Sequence, residues 1–386
     1  MTEQASISPA ATAGPRVLIA GASFAGLASA YWMRRLGYTV TVVETAPGLK
    51  RGGTPVDIRE GTVDIMKRMG LFEQVRARRL PSRSLSFKDA CGATIAGMAA
   101  QAEDTREPDA DCEIDRDVLL DILFEQVRNE VEFRFGDSIA GLRHTKEAVE
   151  VGFRSSLQCT YAFVIGCDGN HSALRRLYFG PEADYAFFMQ HYFALAVVDK
   201  LLLDPQTTHI INLPGVAVML NAYEDKTDVV LAFFSEREIP HDYRDIEQQR
   251  QITIAHFPDI GPRTPEFVAA LTGSSDFYFD QFCQIRMPAW HRDRVVLVGD
   301  AAYCASPAAG MGGSLALVGA SALAEAFTMY PDDLQQAFLE YDHRLRPFVE
   351  QVQANAIDEG LPMFVPRTEE AIRARNVHFA QVAAPG

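Results

Sequence analysis

The chain has 386 residues, 48% of them hydrophobic and 23% charged, enough apolar material for a large core in two domains or one composite fold. Its formal net charge of −15 argues against a nucleic-acid partner, because binders of the phosphate backbone carry a basic footprint. Six cysteines without a C-x-x-C pair support neither a zinc site nor a redox dithiol and fit a reducing cytoplasm.

Met1–Pro15 is small, polar and slightly acidic, and reads as a flexible leader without the basic and apolar regions of a signal peptide. No apolar run approaches the ~20 residues that cross a bilayer, so a soluble, cytoplasmic protein with no membrane partner is expected. Arg16–Ala20 is a short apolar run ending in glycine, the pattern of a buried parallel strand. Ala25 to Leu36 reads as a helix closed by Gly37. Thr39–Val43 is β-branched and reads as a second strand ending at Glu44, which completes one βαβ unit.

Helices are expected over Gly61–Arg79 and Asp115–Asn129, and strands over Val131–Phe135, Ala148–Phe153 and Tyr161–Ile165. Between 179 and 285 the sequence alternates apolar and polar residues and is rich in aromatics, as in an antiparallel sheet. Val295–Val298 returns to Rossmann-like patterning. Helical stretches follow over Gly313–Met329 and Asp332–Gln353, and Pro362 and Pro366 interrupt before a last helix near Glu369–Ala380. The expected class is α/β. A Rossmann-like dinucleotide-binding domain spans 16–178 and 286–330, a mainly antiparallel β substrate domain is inserted at 179–285, and a helical C-terminal segment at 331–386 bridges them. Nothing resembles a coiled-coil seam, so a monomer or weak homodimer is expected.

Three separated motifs carry the chemistry. Gly21-Ala22-Ser23-Phe24-Ala25-Gly26 lies between the first strand and helix. A tight turn at Gly21 followed by a helix N-terminus can hold a pyrophosphate on free N–H groups, and Gly26 allows close helix–strand packing. Glu44 ends the next strand, where a carboxylate accepts both hydroxyls of an adenosine ribose. Ser23 stands where the dinucleotide pattern has its middle glycine. The second motif, Cys167-Asp168-Gly169-Asn170-His171-Ser172-Ala173-Leu174-Arg175, reads in isolation as an ordinary Asx turn entering a helix. The third is Gly299-Asp300-Ala301-Ala302, followed by Ser306-Pro307 and Gly310-Met311-Gly312-Gly313-Ser314, which opens a long helix. An Asp at the carboxyl end of a parallel strand points into the ligand crevice of such sheets.

Together these segments resemble the group A flavoprotein monooxygenases, the fold of para-hydroxybenzoate hydroxylase, over nearly the whole chain. Glu113-Ile114-Asp115-Arg116 is similar to the family's arginine segment, and a planar guanidinium suits FAD oxygens. Lys50–Arg59 and Ser275–Phe279 resemble the tetracycline-inactivating members. The resemblance implies bound FAD held by Gly21, Ser23, Phe24, Ala25, Gly26, Glu44, Thr45, Arg51, Gly53, Asp57, Arg116, Asp168, Gly299, Asp300, Pro307, Gly310, Gly312, Gly313, Ser314 and Leu315. It implies a transient NADPH or NADH, an aromatic or polycyclic substrate and O2, with oxygen transferred from a C4a-hydroperoxyflavin. The chemistry then sits on the flavin, so no side chain is named as nucleophile or base.

His191, Phe193, Met219, Phe233, Phe234 and Pro307 are expected around the substrate, and Arg51 and Arg59 are alternatives for nicotinamide phosphates. Tyr303 in place of the family's frequent His, and Met311 and Ser314 in place of Gln and Asn, imply a pocket shaped for another molecule. A flavin halogenase is excluded, because Trp32 and Trp290 do not form its paired-Trp motif. A reductase or oxidase of the same fold, and a flavin-binding protein without turnover, stay open.

Overall fold

The computed structural model describes residues 14–100, 111–223 and 225–382, so the expected leader, apart from its last two residues, lies outside the described residues. Arg16–Ala20 forms the centre of a six-stranded sheet, paired in parallel with Thr39–Glu44 on one side and Phe163–Gly166 on the other. Glu132–Phe135 and Val295–Leu297 extend it in parallel, and His291–Arg292 closes one edge antiparallel. The central strands read as continuous Val/Ile/Leu runs because both faces are covered. The helices Phe24–Arg35, Gly312–Met329 and Leu334–Asn355 share this core with the three-stranded sheet Ile139–His144, Val149–Phe153, Gln158–Tyr161. Gly312–Met329 is long and apolar enough to cross a membrane by length and composition, which the run-length expectation missed, and 61% of that span is buried in the fold.

A second sheet has seven strands, ordered Asp276–Ile285, Ala186–Val198, Thr227–Phe234, Val216–Ala222, Thr207–Leu213, Ser84–Lys88 and Thr94–Met98. Five of them come from the alternating stretch. The last two come from the segment assigned to the dinucleotide unit, and Ser84–Lys88 joins in parallel to Thr207–Leu213. Short strands with half-exposed patterns carry little periodic signal, so these two were not legible in the sequence. One face of the sheet, with Tyr192, Ala194, Leu220, Leu231, Phe233 and Phe279, is covered by Ile246–His256 and Thr264–Gly273. The other face carries His191, Phe193, Ala217, Met219, Ala232 and Phe234, residues that stand opposite one another across the strands. It meets the C-terminal segment.

Other boundaries shift for local reasons. The helix expected over Gly61–Arg79 divides at Gly70, whose φ of +73° ends Gly61–Arg68 before Phe72–Arg76 starts. The stretch Tyr161–Ile165 changes sheets at Ala162. Asp115 caps Arg116–Glu125 by accepting from the N–H groups of Asp117 and Val118 at 2.9 and 3.3 Å. After Leu334–Asn355 the chain makes one π-helical turn, Ala356–Gly360, then Leu361–Phe364 and Glu369–Val382.

Tyr303 is buried. Its hydroxyl lies 3.0 Å from that of Tyr341, which donates to the Leu297 carbonyl at 3.1 Å. The tyrosine at this position therefore packs among the helices, against Tyr341 and Trp290. Gly319 makes room for it, since a Cβ there would lie 1.8 Å from the Tyr303 Oη. Gly319→Ala is expected to destabilise the fold by about 1–3 kcal/mol through overpacking. Combining it with Tyr303→Phe should recover part of the loss, a coupling that a double-mutant cycle of denaturant unfolding measures.

Candidate active site

The first motif is sterically specified. Gly21 has φ +102°, and a Cβ there would lie 2.3 Å from the Cys167 carbonyl oxygen. A Cβ on Gly26 would lie 1.9 Å from the Gly21 oxygen. Ser23, by contrast, has φ −99° and ψ −166°, extended backbone that any residue adopts, so its departure from glycine carries no strain. Its hydroxyl does not cap the helix Phe24–Arg35. The first-turn N–H groups therefore remain available to an anion.

Glu44 is oriented toward this turn. Its Oε2 accepts from the Ala22 N–H at 2.9 Å, and its Oε1 accepts from the Ala46 N–H at 2.9 Å and the Thr45 hydroxyl at 3.0 Å. Thr45 thus acts on the carboxylate. Arg116 donates to the carbonyls of Lys50 and Gly52 at 3.1 and 2.9 Å and to the Ser23 hydroxyl at 3.4 Å. Its guanidinium lies 5.3 Å from the Phe24 ring centroid. Gly53 backs this side chain at φ +103°, with space for a Cβ only 2.9 Å from Arg116 Cδ. Burial lowers the Arg116 pKa, an environment in which a partner anion gains strength.

The third motif closes against the first. Gly299, at φ +69°, would place a Cβ 3.1 Å from that of Ala25. Asp300 begins the next short helix, and burial raises its carboxyl to about 6, with a hydrogen bond from Cys304 opposing the shift. The loop Pro307–Ala309 turns through Gly310 in the left-handed region, at φ +63°, into the long helix. Ser314 donates to the Asp57 carbonyl at 3.1 Å, and Gly313 lies so close to Val56 that a Cβ would approach its Cγ1 to 2.4 Å. Leu315 is buried beneath the loop.

Three expected residues are engaged elsewhere. Arg51 pairs with Asp121 at 2.6 Å on the exposed flank of the Arg116 helix. The Asp57 carboxylate pairs with Arg59 at 2.8 Å, so only its carbonyl serves the loop. The Asp168 carboxylate accepts from the Ser172 hydroxyl and, at 2.9 Å, from the Leu174 N–H. This is the Asx-type helix entry that the sequence also allowed. The residue of that motif with wider reach is Arg175, unassigned from sequence although it ends the DG-x-x-S-x-x-R segment. It is fully buried and donates to the Ala301 carbonyl at 2.9 Å, to the Asn170 carbonyl and to Glu182 at 2.8 Å. His171, between Glu182 at 2.8 Å and Asp280 at 3.3 Å, ties the same loop to the second sheet. Hydrogen bonds to those two carboxylates raise its pKa to about 10.

A family model described as FAD binding domain matches residues 15–356. An uncharacterized protein of Mycobacterium tuberculosis (strain ATCC 25618 / H37Rv) is 36% identical over 94% of this chain and 97% of its own length. A flavin-dependent monooxygenase from an unknown prokaryotic organism is 30% identical over 94% of both chains. The crystal structure of tetracycline destructase Tet(55) aligns at TM-score 0.83, with 29% identity, over 96% of this chain and 97% of that one. The chain belongs to the FAD-dependent monooxygenases.

The residues present fit FAD. The uncapped helix start with its two close-packed glycines suits a pyrophosphate, and Glu44 suits the ribose hydroxyls. Asp300 offers an acceptor and Arg116 a donor. Of the expected pocket residues, His191, Phe193, Met219 and Phe234 share the sheet face that meets the C-terminal segment, and Pro307 is exposed on the flavin loop. Phe233 does not join them. It points to the opposite face, stacked on Tyr192 at 5.7 Å and His256 at 4.1 Å.

A hydroxyl of FAD placed at Asp300 would donate a stronger hydrogen bond to the ionised carboxylate than to the neutral acid. Such a bond would lower its pKa, so FAD affinity is expected to be full above about pH 6 and to fall as pH drops through it. The folded apoprotein shows the opposite linkage. A raised carboxyl pKa stabilises it below the unfolded value near 4, and that stability is lost as pH rises toward 6. Equilibrium dialysis of FAD from pH 5 to 8 should show this fall in the wild type and a flattened profile in Asp300→Asn. Asp300→Ala purified with full flavin absorbance would contradict the assignment.

Proposed function

We propose that the enzyme hydroxylates a small aromatic or polycyclic molecule of tetracycline-like or polyketide character, with NADPH or NADH as reductant and O2 as oxidant. The observation that carries this reading is the composition of the sheet face opposite the flavin loop. Phe193, Met219 and Phe234 are partly open there, with the small Ala217 and Ala232 beside them. Ala308 and Ala309 of the loop, and Ala356, Leu361 and Val365 of the C-terminal segment, pack into the same cluster. Gly360 meets the loop directly, with room for a Cβ only 2.1 Å from the Ala308 carbonyl oxygen. Such walls suit a flat apolar ligand, and the similarity to a tetracycline destructase over 96% of the chain supports a polycyclic one.

When bound, FAD would supply the redox chemistry of hydride acceptance and O2 activation. The chain supplies position and electrostatics. The helix that starts at Gly312 presents free first-turn N–H groups, which favour negative charge on the reduced ring system. The apolar sheet face and the Ala356–Val365 segment exclude water, which strengthens that interaction.

Incubation with NADPH, 18O2 and a panel of tetracyclines, anthraquinones and naphthols should give substrate-stimulated NADPH oxidation and a product bearing one 18O atom. NADPH consumption with label only in peroxide or water would identify a reductase or oxidase. Absence of stimulation by every compound would favour a binding protein. Phe193→Ala should raise KM about tenfold with a smaller effect on kcat, because it removes ground-state aromatic contact.

A further inference from the structure

One side chain on the flavin-side face of the second sheet has hydrogen-bonding capacity that the fold leaves unused. His191 is 4% exposed and stands in register with Phe234 and Phe282 on the flanking strands. Their rings meet the imidazole edge-on, with centroids at 5.4 and 6.3 Å. A bulge between Phe188 and His191, with Gln190 at φ +57°, sets the strand's course just before it.

The tautomer follows from the contacts. Nδ1 lies 2.8 Å from the Met189 carbonyl oxygen. A carbonyl only accepts, so Nδ1 carries the proton and Nε2 is a bare acceptor. Nε2 is buried and has no partner among the described residues. Burial holds the ring below its usual pKa despite the opposing hydrogen bond to the Met189 carbonyl, and the Arg367 guanidinium adds to the lowering, which favours the neutral imidazole. A buried acceptor without a donor is costly, and native proteins rarely keep one without a use.

We propose that His191 selects for hydroxylated substrates, its Nε2 accepting the hydrogen bond of a phenolic or enolic O–H on an aromatic body that rests against Phe193. Phe193 is the next residue on the same face, one pleat period along the strand. Arg367, stacked on Phe234 at 3.7 Å, disfavours an ammonium donor and so favours a neutral hydroxyl, which keeps the proton that Nε2 accepts. This proposal rests on the aromatic-substrate reading above.

The test uses FAD-loaded enzyme with 2-naphthol and 2-methoxynaphthalene, which differ in the donor hydrogen, and reads affinity from perturbation of the flavin absorbance. Wild type should bind 2-naphthol at least tenfold more tightly than its methyl ether. The preference should fall within twofold in His191→Leu and largely return in His191→Gln, whose amide oxygen accepts. An unchanged preference in His191→Leu at wild-type flavin content overturns the proposal. Independently of any ligand, 15N spectra of histidine-labelled holoenzyme should show His191 protonated at Nδ1 and bare at Nε2. A proton on Nε2 overturns it, and this measurement decides the matter if the leucine variant fails to retain flavin. If neither compound perturbs wild-type flavin, the aromatic-substrate reading fails while the tautomer still decides whether His191 offers an acceptor.

Discussion

The guanidinium of Arg175 joins two loops far apart in the chain, and the nucleotide crevice depends on that junction. It is buried completely and donates to the carbonyls of Asn170 and Ala301 and to the carboxylate of Glu182. A buried cation is costly unless it is paired, and both terminal nitrogens of Arg175 are engaged, which ties the loop after Phe163–Gly166 to the turn after Val295–Leu297. Gly299 then stands against Ala25 at the start of the first helix. Through one arginine, the third motif is held at the height of the first.

The second sheet is anchored to the same loop by a chain of charges. His171 bridges Glu182 and Asp280, and Asp280 also accepts from the Tyr278 hydroxyl at 2.6 Å. Arg175 and His171 share Glu182. The second sheet is therefore tied to the first through hydrogen-bonded ion pairs, while residues from Ala356 to Val365 pack against it through apolar contacts. The division suits the chemistry: directional bonds where alignment matters, and apolar contact where water must be kept out.

Much of the geometry around the first motif was legible because its demands are local. Gly21 and Gly26 meet backbone atoms that no side chain can approach, and Glu44 follows from its place at a strand end. Asp168 was less legible, since the same Asp-Gly turn serves either a ligand or its own helix, and here the carboxylate turns to Ser172 and Leu174. Arg51 lay beside the right residues in sequence, yet Asp121, one helix away, captures it. Tyr303 follows the GDAA turn directly, but a glycine on a later helix opens the space that draws it inward.

By itself, the sequence determined that this chain opens on a βαβ unit, ends its strands in dinucleotide-binding turns and resembles flavin monooxygenases. Those features are written in short-range sterics, turn residues and hydrophobic period. The tertiary structure alone decided which face of the second sheet meets the C-terminal segment, so that Phe234 lies on that side and the adjacent Phe233 lies under the helices. Alternation shows which residues share a face and not which layer will cover it, because both faces here are apolar. The free nitrogen of His191 belongs to the same level, since it depends on a bulge, a carbonyl two residues back and rings on two neighbouring strands.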